Sequence, residues 1–97
     1  MPTYIALTSY TEAGMRHVKD SPKRLDTAKA LLREMGGDFK SFYMTMGAYD
    51  IVAIFEAPDD AVAARFILLL GGAGFVRTST LKAFPEQAYR EIIASLG

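Results

Sequence analysis

Residues Phe39 to Ala57 read FKSFYMTMGAYDIVAIFEA, two runs rich in aromatic and β-branched side chains on either side of Gly47-Ala48. Such residues favour extended chain, so residues 39–46 and 49–57 are expected to form two strands. Glycine at the first of two loop residues suits a type II′ hairpin. That turn would pair Met46 with Tyr49, Thr45 with Asp50 and Tyr43 with Val52. One face would carry Phe42, Met44, Ile51, Ala53 and Phe55. The other would carry Ser41, Tyr43, Thr45, Asp50, Val52, Ile54 and Glu56. Both faces hold large apolar side chains, so both are expected to be covered.

Upstream, YIALTSY at residues 4–10 reads as a strand. Thr11 then suits an N-cap, with Glu12 favourable in the first turn of a short helix. Asp20-Ser21-Pro22 interrupts that helix and starts another, with Ser21 as cap and Pro22 at its first position. Leu25, Ala28, Leu31, Leu32 and Met35 recur at helical spacing, and Gly36-Gly37 supplies the stop. Downstream, Asp59 caps a helix whose apolar stripe is Val62, Ala63, Phe66, Leu69 and Leu70, ended by Gly71-Gly72. FVRTSTLKAF at residues 75–84 reads as a fourth strand. Pro85 opens a last helix with Tyr89, Ile92, Ile93 and Leu96 on one side.

The order is β-α-β-β-α-β plus a C-terminal helix, which is the split βαβ, ferredoxin-like order. It predicts an α+β fold, with a four-stranded antiparallel sheet carrying two helices on one face. With Ile5 and Leu7 turned toward the helices, the open face would hold Tyr4, Ala6, Thr8 and Tyr10 beside Tyr43, Val52 and Ile54. Monomers rarely expose so large an apolar patch. The simplest cover is the same face of a second copy in a two-fold dimer.

With 97 residues, the chain is a single domain spanning 1–97. Eleven basic and eleven acidic residues cancel, which argues against nucleic acid or an anionic membrane as partner. The absence of cysteine excludes disulfides and a thiolate nucleophile, and one histidine excludes a His-rich metal site. The expectation is therefore no metal and no cofactor. No apolar run approaches the ~18 residues of a membrane helix, and MPTYIALTSY lacks a basic leader, so a cytoplasmic protein is expected. Neither a phosphate-binding G-x-x-x-x-G-K-[ST] loop nor a G-x-S-x-G elbow occurs.

From GAYD at Gly47 to Asp50 outward, the chain resembles the GYD-domain family, small bacterial and archaeal proteins of the dimeric α/β-barrel, ferredoxin-like superfamily. The matching elements run in order along the whole chain. They are Tyr10-Thr11, VKDSPKR at Val18 to Arg24, Gly36-Gly37, FYMTMGAYD at Phe42 to Asp50, EAPDD at Glu56 to Asp60 and GFVRTSTLKAF at Gly74 to Phe84. The resemblance implies a fold and a dimeric barrel but little chemistry, since the family has no established catalytic residues. Its architecture is similar to that of small cofactor-free monooxygenases and of ligand-binding domains in some transcription regulators. Fold alone does not carry function.

Seven residues are candidates for a site. Tyr4, Thr8, Tyr43 and Asp50 are expected to edge a cavity for a small apolar or aromatic ligand, the tyrosines offering an apolar body and one hydroxyl each. Asp50 would act as a base or hold a polar group, or else accept hydrogen bonds from turn amides or pair with Arg77. His17, with Arg24, belongs to a basic patch that would contact an anion or simply be solvated. Arg24 and Arg77 would clamp a carboxylate or form surface ion pairs. The leading reading is a homodimer that binds a small molecule. The alternatives are a cofactor-free enzyme of the monooxygenase or isomerase type, with proton transfer by Asp50, His17 and the tyrosines, and a structural or partner-binding dimer.

Overall fold

The computed structural model describes residues 1–97. Its elements are β1 (Thr3–Tyr10), α1 (Glu12–Arg16), a 3-10 turn (Val18–Asp20), α2 (Ser21–Glu34), β2 (Asp38–Met44), β3 (Ile51–Glu56), α3 (Asp60–Gly72), β4 (Val76–Ala83) and α4 (Glu86–Ala94). The strands form one antiparallel sheet in the order β2-β3-β1-β4. This is the expected α+β arrangement, with the two halves interleaved so that β1 and β3 are central. No helix is long and apolar enough to cross a membrane.

Local chemistry sets the helix boundaries. The Thr11 hydroxyl accepts from the Gly14 amide and caps α1, as its side chain predicts. Asp59 caps α3 by accepting from the Val62 amide at 2.9 Å. The start of α2 differs from expectation. Asp20 is its N-cap, without a side-chain bond, and Ser21 is already helical, with Pro22 in the first turn. In α3, Leu70 packs at the core margin as expected, but Leu69 is exposed and Ile67 joins the margin in its place.

Gly14 is required by close approach. A Cβ there would lie 1.9 Å from the Phe75 carbonyl oxygen. That same oxygen accepts from the Thr11 amide at 3.0 Å, so α1 is pressed against the start of β4.

The hairpin register is as read, with Tyr43 opposite Val52 and Met44 opposite Ile51. Its turn is wider than a two-residue II′ loop. The ladder closes at Thr45, whose amide donates to the Asp50 carbonyl at 2.8 Å, and whose hydroxyl donates to the Tyr49 carbonyl. Met46 and Tyr49 do not pair, and Met46 is 95% exposed. Gly47 does take positive φ, at 148°, in open space. A bulge between Phe39 and Ser41 was not foreseen. It restores Phe39 and Phe42 to one side of the sheet, where strict alternation would separate them.

The core lies between the sheet and α2 and α3. Phe55 and Leu32 are fully buried, and Phe55 stacks on Tyr4 at 5.3 Å and meets Phe66 edge-on. Here the structure reverses the expected facing of β1. Tyr4, Ala6 and Thr8 are buried on the helix side, while Ile5 and Leu7 are half-buried on the open side. The pairing explains it: Tyr4 sits opposite Phe55 and Ala6 opposite Ala53, on the face the helices cover. Ile5 instead lies between Ile54 and Leu81, and Leu7 beside Val52.

Candidate functional site

A cavity of about 320 Å³ opens on the helix side of the sheet. Its floor is Ala6 and Thr8 of β1, Ile51 and Ala53 of β3, and Val76 and Thr78 of β4. Small side chains at Ala6 and Ala53 leave the space. Phe39, Phe42 and Met44 of β2 wall one side, and Ser21, Pro22, Leu25 and Ala28 of α2 form the roof with Leu70 and Phe75. Twelve of its 17 lining residues are hydrophobic. That composition and size fall at the lower end of small-molecule pockets.

Arg24 is the one charged residue in the wall. Its guanidinium lies 4.4 Å above the Phe75 ring, and Nη1 donates to the His17 carbonyl at 3.1 Å. Its Nη2 is shut off from solvent without an acceptor. The His17 ring meets Phe75 edge-on at 6.1 Å, so Phe75 joins these two candidates. Tyr10, also in the wall, points its hydroxyl toward Ser21 Oγ at 3.5 Å.

The four residues expected to edge one cavity are not brought together. Thr8 lines the helix-side cavity. Tyr43 stands 60% exposed on the opposite, open face. The Asp50 carboxylate accepts from the Tyr10 amide at 2.9 Å, and its own amide donates to the Thr8 carbonyl. Asp50 thus pins the hairpin loop to the end of β1, the structural role weighed against a catalytic one. Arg77 lies opposite Ser9 on edge strand β4, exposed, on the same side as Leu81. It makes no ion pair with Asp50.

Tyr4 lies under the other end of the sheet. Its ring is buried, and its hydroxyl donates to Asp60 at the start of α3, where Lys82 Nζ also donates at 3.1 Å. Burial first, and then the Asp60 hydrogen bond, push the Tyr4 phenol up to about 12. The Tyr4 and Lys82 bonds hold the Asp60 carboxyl below its ordinary value. The folded state therefore binds the phenolic proton more tightly than the unfolded chain, whose ordinary value is 10.0. That stability is fully present below pH 10 and is lost as pH rises toward about 12. Thermal melts should show the wild type losing stability over that range more steeply than Tyr4→Phe. Parallel curves would contradict the assignment.

Sequence reasoning missed Phe75, Phe42 and Ala53 as wall residues. Phe75 precedes β4 and carried no signal beyond its aromatic ring. The two others lie on the face of the hairpin expected to hold Met44, Ile51 and Phe55, and carry no polar group that marks a cavity.

A family model for the GYD domain matches residues 4–93. The chain belongs to the GYD-domain family. A Thermus thermophilus relative, named glutamine synthetase and cystathionine beta-lyase binding protein, is 37% identical over 86 residues. The match covers 88% of this chain and 90% of that relative. No solved structure matches this GYD domain significantly. In this GYD domain, residues 4–93 take in all of the sheet but Thr3, the cavity wall and nearly all of α4.

Proposed function

We propose that this GYD domain is a homodimeric protein-binding module that attaches to metabolic enzymes of the kind named for its Thermus relative. The observation that carries the reading is the chain's uncovered apolar surface. Ile5, Leu7, Tyr43, Val52, Ile54 and Leu81 cluster on the open face of the sheet. The exposed area is 6517 Å². A compact monomer of 10.6 kDa would expose only ~5,500 Å². The excess, about 1,000 Å², is of the size one partner contributes to a standard interface. The radius of gyration is 14.6 Å, against ~12.5 Å for a compact chain of this length. The open face is the natural surface for a second copy, closing two sheets face to face. Helix α4 and the turn after it supply a separate surface, with Tyr89, Ile92, Ile93 and Leu96 exposed. A stripe of that kind suits docking to a larger partner.

The test is co-elution with purified glutamine synthetase and with cystathionine β-lyase from the same organism. Retention of either enzyme, lost in Ile92→Glu, is the expected result. Failure to bind either would overturn the reading.

The helix-side cavity supports a second role, binding of a small apolar molecule. Asp50 and His17 lie outside its wall, and no carboxylate or imidazole lines it. Of the groups that proton transfer by Asp50, His17 and the tyrosines would need, only Tyr10 lines the cavity, which favours ligand binding there.

A further inference from the structure

We infer that the helix-side cavity takes a small monocarboxylate with an apolar body, bound through Arg24. The inference rests on the ligand-binding reading of that cavity and names its ligand class.

The wall is aliphatic and aromatic over most of its area, so the bulk of a ligand must be apolar. Arg24 gives it a single positive charge with no carboxylate beside it: neither the cavity wall nor any ion pair of the chain supplies Arg24 with an acidic partner. A guanidinium offers its donors in a planar fork suited to two oxygens. One arm of this fork already holds the His17 carbonyl, and Phe75 fixes the plane from one side. Nη2 has no acceptor within the chain and no exposed surface. An unmatched buried donor is costly, so a small turn of the guanidinium that brings Nη2 to a ligand oxygen in the cavity relieves that cost.

One positive charge fits one negative charge. A phosphate dianion would bring a second charge into an apolar wall that has nothing to neutralise it. The hydroxyls of Tyr10 and Ser21 line the same cavity and suit the second carboxylate oxygen. At ~30 Å³ per water-sized group, 320 Å³ admits about ten heavy atoms.

Phenylacetate and hexanoate, each compared with its neutral amide, are suitable probes. Titration calorimetry on the wild type should show each acid binding at least ~10-fold more tightly than its amide, the scale of a charge-assisted hydrogen bond. Arg24→Gln should remove that preference while leaving the weak amide binding intact, and Arg24→Lys should keep part of it. Amide resonances of Ile51, Ala53 and Phe75 should shift on binding. Equal binding of acids and amides would overturn the anion assignment and leave an apolar ligand site standing. Binding of none of the four probes would overturn both. An acid preference that survives in folded Arg24→Gln would remove Arg24 from the site. The wild-type comparison decides the ligand class even where a variant does not fold.

Discussion

Replacing Ile54 with lysine is expected to give a folded monomer. Ile54 sits in the middle of the open face, opposite Ile5 on β1, which in turn lies opposite Leu81 on β4. In one chain this position is only half-buried, so a lysine can lift its ammonium into water at little cost to the fold. Between two sheets there is no such escape. An unpaired charge there costs several kcal/mol, enough to dissociate a dimer of ordinary affinity. Circular dichroism should be unchanged while sedimentation shows a halved mass relative to wild type. A variant that self-associates as well as wild type would show that the second copy does not sit on this face.

The largest loss of stability is expected from Phe55→Ala. Phe55 is fully buried and holds together rings from three other elements, Tyr4 of β1, Phe39 of β2 and Phe66 of α3. Removing a buried phenyl ring costs about 3–5 kcal/mol when the cavity cannot collapse. Collapse is resisted here because the neighbours are rigid rings on different elements. For a domain of this size each kcal/mol shifts Tm by roughly 4–8 °C, so the melting point should fall by well over ~10 °C. Urea denaturation provides the free energy directly. A loss below ~1 kcal/mol would mean that the aromatic cluster is not the centre of the core.

Much of this fold was legible because local signals agreed with one another. Residues 39–57 carried strand formers on both sides of a glycine, and the pairing of Tyr43 with Val52 followed from it. Thr11 and Asp59 announced their helices through hydroxyl and carboxylate caps. The facing of β1 was not legible because YIALTSY is apolar in both of its alternating sets. Only the partner strand separates them: Phe55 gives Tyr4 a ring to stack on, whereas Ile54 and Leu81 gather Ile5. The bulge at Lys40 was equally hidden, since nothing in FKSF marks which residue is extra.

The candidate site was read less well for the same reason. Choosing the wrong face for Tyr4 and Thr8 put them beside Tyr43, from which the sheet in fact separates them. Asp50 looked available because its acceptor role depends on the Tyr10 amide, forty residues away in sequence. Arg24 was singled out by its charge and its planar fork, as Arg77 was. Its importance comes from Phe75 and from the Nη2 that no acceptor reaches, and both are products of folding.

The most direct measurement is the molar mass of the wild-type protein by light scattering at micromolar concentration. A protein that covers its open sheet face with a second copy should show twice the 10.6 kDa of one chain. A stable mass of 10.6 kDa under those conditions would contradict the pairing and the protein-binding dimer built on it.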